Sequence, residues 1–442
     1  MGAGAARGAT LSARQSLFVG VTLFSMFFGA GNLILPPLLG VQAGSDAPAA
    51  LLGFLVAGVG LPVLGIVAVA LSGTLGELAA RVHPTFSRIF VALVYLAIGP
   101  CLAIPRTAST AFEMLAPLLP QGWSPAAARL AFSLAFFALA YVLAMRPGRL
   151  TRLLGRVTGP ALILLIVTVV GASVAGLAGA PEPPAATPAA PYDDAPAVQG
   201  FLTGYQTMDL LASLTFGIVI ATNVRSLGVT ERGGVMREVC RAGAIAGVLM
   251  VAVYGGLALV GVEQSGPLAG ATNGAAVITA AATAHFGVAG TVVVAAIFLL
   301  ACLNVCIGLI SCCGSYFAEE LPRVSYRGCA LAFAAFSCAI ANLGLDAILS
   351  LSATLLGCLY PVAIVLVALG MLRGLVDGRP RVWRWTVVVA AVVSVAQAAL
   401  PALGLPLPPL LLTDVGLAWV CPTLAAALLA LLLPSLARKE IA

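Results

Sequence analysis

The strongest chemical signal in the chain is the run Phe27-Phe28-Gly29-Ala30-Gly31-Asn32, with Pro36-Pro37 close behind it in the same apolar segment. A helix that crosses a bilayer needs about 20 apolar residues and has no use for a glycine pair beside an amide. Such a pair invites the helix to unwind, and unwound backbone survives in lipid only where protein or a water-filled cavity surrounds it. Gly29, Ala30, Gly31 and Asn32 are therefore a first group of candidate substrate-binding residues. The N–H groups of Ala30 and Gly31, at the start of the outer half-helix, suit a carboxylate, because helix N-termini attract anions. Carbonyls from Ser25 to Phe28 suit a cation, and Asn32 offers it an amide oxygen. The same residues also serve close packing, since small residues and asparagines commonly join membrane helices.

A second group lies at Gly204-Tyr205-Gln206-Thr207-Met208-Asp209, followed by Ser213 to Gly217. A carboxylate inside a membrane costs at least ~2.5 kcal/mol, so Asp209 is a functional candidate. It could attract an ammonium group, bind a cation, carry a proton or form a structural ion pair. Ser213 and Phe216 complete this group. Arg106 and Glu113 are the other ionisable residues well inside a span; they share one helix face, and both gating and structural roles fit them. Asn304, among Leu303, Val305 and Cys306, could offer oxygen to a cation or tie two helices. Cys302, Cys306, Cys312 and Cys313 have no histidine or carboxylate at ligand spacing and read as packing residues. His83 and His285 read as loop histidines.

These residues need elements to hold them. The chain has 442 residues, of which 61% are hydrophobic and 9% charged, so it is a polytopic membrane protein rather than a soluble one. Hydropathy places twelve spans at 16–40, 48–72, 87–117, 127–145, 150–178, 202–224, 239–262, 286–316, 326–342, 346–372, 384–402 and 415–434. Twenty of the 22 basic residues fall in the two tails and the even connections, among them Arg7, Arg81, Arg146, Arg232, Arg373, Arg438 and Lys439. The odd connections carry Asp46, Glu182, Asp193, Asp194, Glu263, Asp346 and Asp414. The positive-inside rule then puts both termini in the cytoplasm. The first apolar segment is too long for a cleavable signal peptide. The cysteines lie in spans or on the cytoplasmic side, where disulfides are not expected.

The chain is expected to form a single membrane domain over 1–442. The connection 179–201 reads as a solvated link between halves, and 263–285 as short helices dipping onto the outer mouth, whether as a lid or as an inert surface piece. Spans 1 and 6 cross in opposite directions, and each carries glycine and polar residues at mid-membrane. Paired interrupted spans are a pointer to a transporter site. The expected fold is all-α, with five-plus-five spans in inverted repeat (16–178 and 202–372), broken helices 1 and 6, and two added helices over 384–434.

Several strings together resemble the branched-chain amino acid carriers of bacteria, the leucine/isoleucine/valine–cation symporters. They are Phe27 to Pro37, Gly99-Pro100 with Pro105 to Ala108, Gly204 to Asp209 with Phe216-Gly217, Gly228 to Thr230, Asn273 to Ala276, Ala301 to Leu303, Ser325 to Arg327, Asn342 to Leu345 and Tyr360-Pro361. The resemblance implies a location in the bacterial cytoplasmic (inner) membrane and import of leucine, isoleucine and valine with Na+ or a proton, on a fold similar to that of the amino acid–sodium symporters. It implies backbone donors to the substrate carboxylate at Ala30 and Gly31, and a cation- and substrate-linked asparagine at Asn32. It further implies a Na+ site formed by Ser25, Phe28, Ala301 and positions 304 and 305. A hydroxyl residue is expected at 304 or 305, whereas the chain has Asn304 and Val305. The implied partners are a small amino acid, a coupling cation and lipid, with no cofactor beyond bound Na+, no nucleic acid and no obligate protein partner. A symporter for another amine or nucleobase, a passive channel and an intramembrane enzyme are the alternatives. An aspartyl protease would need two facing aspartates, and only Asp209 lies well inside a span.

Overall fold

The computed structural model describes residues 10–433 apart from 121, 146–148 and 180–185. Arg7, Arg146, Glu182, Arg438 and Lys439 of the charge pattern lie outside the described residues. Among the described residues every regular element is helical. The first span is two half-helices, α1 (Ala13–Phe27) and α2 (Ala30–Ala43). The second is α3 (Ala47–Leu55) and α4 (Leu61–Ser72), joined by a π-turn at 56–60. A short α5 (Leu75–Ala80) leads to α6 (Pro84–Leu96) and α7 (Ala103–Leu115), which meet at a second π-turn where Gly99 leaves helical geometry. Then come α8 (Pro125–Ala144), α9 (Arg149–Gly179), α10 (Pro196–Tyr205), α11 (Asp209–Ser226) and α12 (Arg232–Glu263). The rest are α13 (Gly274–Glu320), α14 (Tyr326–Ala341), α15 (Leu345–Met371), α16 (Arg373–Val376), α17 (Pro380–Ala402) and α18 (Val420–Leu432).

Eight helical runs are long and apolar enough to cross a membrane, and α10 with α11, bent by 48°, make a ninth. The segment expected as short helices over 263–285 is turns followed by a helix, the first part of α13, set off from the rest by non-helical Gly287. This helix runs from Gly274, bends at Gly287 (φ 63°) and continues as a span. Its first part is buried, and Gly274 sits against the Ile34 carbonyl of α2, where a side chain would not fit.

Helix packing is organised by four glycine-lined crossings. α1 packs on α12, with Gly20 against Ile245, and α2 packs on α12, with Gly40 and Gly261 facing each other. α10 packs on α3, with Gly53 and Gly200 each against the other helix's backbone, and α11 packs on α4, with Gly65 under Ser213 and Gly217 on Val69. Lipid gives little hydrophobic push between helices, so close backbone contact of this kind must hold them. Each interrupted span thus lays both of its halves on an uninterrupted partner.

The connections sort into two ends. Arg81 pairs with Asp377, Arg232 and Arg373 both donate to the Leu71 carbonyl (3.2 and 2.5 Å), and Arg384 donates to the Val82 carbonyl (3.2 Å). The Leu11 N–H and Ser16 hydroxyl reach Glu238 at that end (3.3 and 2.7 Å). Arginines here cap the C-terminal carbonyls of α4, where cations are favoured. At the opposite end, Gln42 accepts from the Ala189 N–H (2.9 Å), Ser45 N–H donates to Ala186 (3.1 Å), and Thr272 donates to Asp346 (3.1 Å). Among the described residues, Arg81, Arg232, Arg373 and Arg384 thus gather at one end of the bundle, and Asp346 lies at the other. With the ten native cysteines replaced, a cysteine at Thr187 is expected to react with an impermeant reagent only from outside the cell, and one at Gly233 only from inside. The reverse labelling would overturn the sidedness drawn from the charges.

Candidate functional site

The site is built where two helices stop. The last bond of α1 is from the Phe28 N–H to the Phe24 carbonyl (3.0 Å), and Gly29 is then extended (φ −116°, ψ −175°) before α2 begins at Ala30. In span six α10 tightens through three short turns, Gln206 to Thr203, Thr207 to Gly204 and Met208 to Tyr205 (3.0, 3.2 and 3.0 Å). Met208 then adopts a left-handed backbone (φ 64°), and α11 starts at Asp209. A left-handed backbone at a residue other than glycine is strained, and it persists only where its surroundings dictate it.

Both breaks open on one small cavity of about 70 Å³. Its polar lining includes Asn32, Arg106, Thr107, Thr207 and Asp209, and its apolar wall Met26, Phe27, Ile98, Phe216, Val305 and Leu309. Asn32 and Asp209 are 1% and 2% exposed. The Asn32 amide donates to Asp209 Oδ2 (2.8 Å) and the Tyr254 hydroxyl donates to the same oxygen (3.0 Å); Asn32 also bonds Tyr254 (2.5 Å). This triangle joins spans one, six and seven. Asp209 stands at the N-terminus of α11, where the helix dipole stabilises its charge. Arg106, 3% exposed, enters from α7 and donates through Nη1 to the Gln206 carbonyl at the end of α10 (2.6 Å). Its guanidinium also lies against Gly31, where any Cβ would collide with it. A larger cavity of about 470 Å³ lies between α10, α15 and α17, but no charged side chain lines it.

Among the predicted residues, Gly29, Ala30, Asn32, Asp209 and Phe216 line the small cavity, and Gly31 backs it through Arg106. Ser213 turns away. It is fully buried against Gly65 of α4 and bonds the Leu210 carbonyl (2.6 Å), while Ala212 takes the cavity position. The Ser25 hydroxyl returns to the Val21 carbonyl (3.0 Å) on an exposed face, so only its backbone is placed to meet a cation. Phe28 is buried, with its ring on Phe24 (centroids 5.1 Å). Ala301 packs on the apolar cluster that holds Phe24 and Phe27. Asn304 is half-buried and off the cavity, whereas Val305, about 100° further around the helix, lines it. Sequence reasoning leaves Tyr254 and Thr107 out of the site and gives Arg106 no role there. A basic residue deep in a span was the signal for Arg106; a tyrosine in an apolar helix offers none.

Two interrupted helices that meet at a buried, charged cavity in an all-helical membrane bundle are an arrangement in which transporters build their sites. The fold agrees with two structures of one transporter. MHP1, of the nucleobase-cation-symport-1 family, closed with bromovinylhydantoin bound, matches with a TM-score of 0.59 at 15% identity over 94% of this chain and 91% of that one. Its inward-facing form matches with a TM-score of 0.54. The particular family follows from sequence. Residues 12–437 match the family described as branched-chain amino acid transport protein, and the chain belongs to it. It is 38% identical to the branched-chain amino acid transport system 2 carrier protein of Pseudomonas aeruginosa, over 96% of this chain and 97% of that protein. It is 33% identical to the branched-chain amino acid permease BrnQ of Escherichia coli, over 98% of each. The chain is therefore a multi-pass membrane transport protein and not an enzyme.

The Asn32–Asp209–Tyr254 triangle is testable by stability. Asp209→Leu removes the acceptor shared by the Asn32 amide and the Tyr254 hydroxyl and leaves the buried hydroxyl with none, at about 1–3 kcal/mol, whereas Tyr254→Phe removes the hydroxyl with its two bonds and leaves the Asn32 amide its bond to Asp209. Thermal unfolding in detergent is expected to show a clearly larger drop for Asp209→Leu. Equal drops would show that the triangle does not hold the three spans together.

Proposed function

We propose that this protein is a secondary active symporter that imports leucine, isoleucine and valine across the bacterial cytoplasmic membrane, driven by Na+ or protons through alternating access. The observation that carries this reading is the cavity itself. It sets Arg106 and Asp209 in one chamber beside an apolar wall of Phe27, Phe216, Val305 and Leu309. An aliphatic amino acid offers the complement: a carboxylate, an ammonium and a branched hydrocarbon. The printed functions of the relatives support the same substrate class. A planar nucleobase would leave both buried charges unanswered, which disfavours that alternative.

On this reading the chain crosses the membrane twelve times, with both termini in the cytoplasm. Residues 16–178 and 202–372 are inverted repeats, and 384–434 are appended. The four crossings support the repeat, because exchanging spans one and two with six and seven maps α1 on α12 to α10 on α3 in the opposite hand of the membrane. The substrate carboxylate lies at the N-terminus of α2, near Ala30 and Gly31. Its ammonium lies toward Asp209, and its side chain toward Phe216. A coupling cation takes the carbonyls of Ser25 and Phe28, with Ala301 and Asn304 across from them. Drawing one positive charge inward yields about 2.3 kcal/mol per 100 mV, which at about 1.4 kcal/mol per tenfold sustains roughly 40-fold accumulation.

Labelled leucine uptake in proteoliposomes, with Na+ and proton gradients imposed separately, tests this. Saturable, gradient-driven uptake with counterflow is expected; uptake that never saturates would point to a channel. Asp209→Asn should lose accumulation more severely than binding, because the amide keeps size and an acceptor oxygen but neither charge nor proton. If Asp209→Asn concentrates leucine as the parent does, Asp209 is structural. Val305→Thr should strengthen the Na+ response by adding an oxygen suited to a hard cation. An unaltered response would remove span eight from the cation site.

A further inference from the structure

Arg106 has more bonding capacity than the fold uses. A guanidinium carries five N–H donors in a planar fork. One is committed, from Nη1 to the Gln206 carbonyl (2.6 Å). Nε is buried with no partner. Among the described residues Arg106 forms no ion pair, although Asp209 lines the same cavity. An arginine kept only to brace helices would spend its donors on carbonyls or on a carboxylate, since a buried charge left underbonded is costly. Here Asp209 is answered instead by Asn32 and Tyr254 through Oδ2. The remaining donors of Arg106 therefore have no protein partner to serve.

Position adds to this. The guanidinium rests on Gly31, in the second position of α2. A Cβ there would fall on its Cζ and Nη2, so glycine is what admits the side chain to that place. The free N–H groups that open α2 lie beside it. Two kinds of donor, one fully charged and one dipolar, thus converge at the wall of the cavity, where Asp209 forms no ion pair with the guanidinium, and an anion is what such a point takes. The fork geometry selects a planar two-oxygen anion.

We infer that Arg106 is the carboxylate anchor of the transported amino acid, binding it together with the N-terminus of α2, so that the carboxylate is held by the protein itself rather than by a metal ion. This rests on the proposed substrate class and names the residue that reads its acid group. Arg106 is then a specificity-determining residue: amino acids are admitted and the corresponding amides refused.

The test compares leucine with leucinamide, which keeps the side chain and ammonium but lacks the carboxylate. Binding is measured to purified parent, Arg106→Gln and Arg106→Lys in detergent. The assay is run near about pH 6, below the usual α-amino range of about 7.7–8.0, so that both ligands carry the ammonium. The parent should prefer leucine by about 100-fold, as expected when a buried charge would otherwise lose its partner. Arg106→Gln should shrink that preference to a few-fold, through lost leucine affinity with leucinamide little changed. Arg106→Lys should fall between, because an ammonium keeps the charge without the fork. If both ligands weaken by the same factor, or the preference survives in Arg106→Gln, Arg106 is a brace and the inference is overturned. Should Arg106→Gln fail to insert, Arg106→Lys decides: a reduced preference supports the anchor and an unchanged one overturns it. A parent that binds no leucine would instead defeat the proposed substrate class.

Discussion

The bond from the Asn32 amide to Asp209 is the interaction on which the rest of the site depends. It crosses from one interrupted span to the other and holds the two breaks at the same depth. Without it the unwound backbone at Gly29 and at Met208 would have no reason to lie side by side. The electrostatics then become simple. Four half-helix ends meet at the cavity, each equivalent to roughly half an elementary charge. Span six answers its own: Asp209 sits on the positive end of α11, and Arg106 caps the negative end of α10 through Gln206. Span one has no charged residue in its first or last turn at the break. Its two ends, the negative end of α1 and the positive end of α2, stay unanswered by the side chains of that span. On the proposed reading a cation and a carboxylate take them, as symport of an amino acid requires.

Holding charged groups there demands a bundle that stays closed around them. The four glycine crossings supply that closure by contact rather than by hydrophobic drive, and they permit it at every place where an interrupted half meets an intact helix. Gly40 on Gly261, Gly53 on Ala197 and Gly200 on Ala50 leave no room for a side chain, since a Cβ at any of these glycines would meet backbone. Close-packed backbones of this kind move as one body, because separating them forfeits dispersion contacts all along the crossing.

Much of this was legible in the residues, and the parts that were not share a cause. The all-helical membrane bundle was readable because long apolar runs with few charges leave helices as the only element that can cross lipid. The breaks were readable because glycine, asparagine and aspartate have no other reason to interrupt apolar helices. Rotation about a helix was not readable. Ser213 and Ala212 lie on either side of the line through Asp209 and Phe216, and only the packing of α11 on Gly65 of α4 assigns the serine to the interface. Val305 and Asn304 differ in the same way on α13. Arg106 is a harder case, because its reach depends on the π-turn at 97–101, which re-aims α7 after Gly99. Tyr254 lay hidden for the opposite reason: a single hydroxyl in an apolar helix disturbs no pattern, although it completes the acid's hydrogen bonding.

The two ionisable side chains of the cavity stand on different helices. Asn32, Asp209 and Tyr254 stand on spans one, six and seven, which the glycine crossings bind to span two. Arg106 stands on α7, which packs instead on α13. Among the described residues no ion pair joins Arg106 to Asp209, and the bond to the Gln206 carbonyl is the hydrogen bond by which Arg106 reaches span six. A zwitterion that gives its carboxylate to Arg106 and its ammonium toward Asp209 would bridge them. A ligand shifts a conformational equilibrium only by its differential affinity for the two states, and a ligand that spans both helices has that differential built in. It binds best when they are close, and a fragment with only one of the two charges cannot close them. On the proposed reading, recognition of the amino acid and closure of the bundle around it are therefore the same set of contacts, which explains why a carrier of small aliphatic substrates keeps two costly charges buried in a membrane.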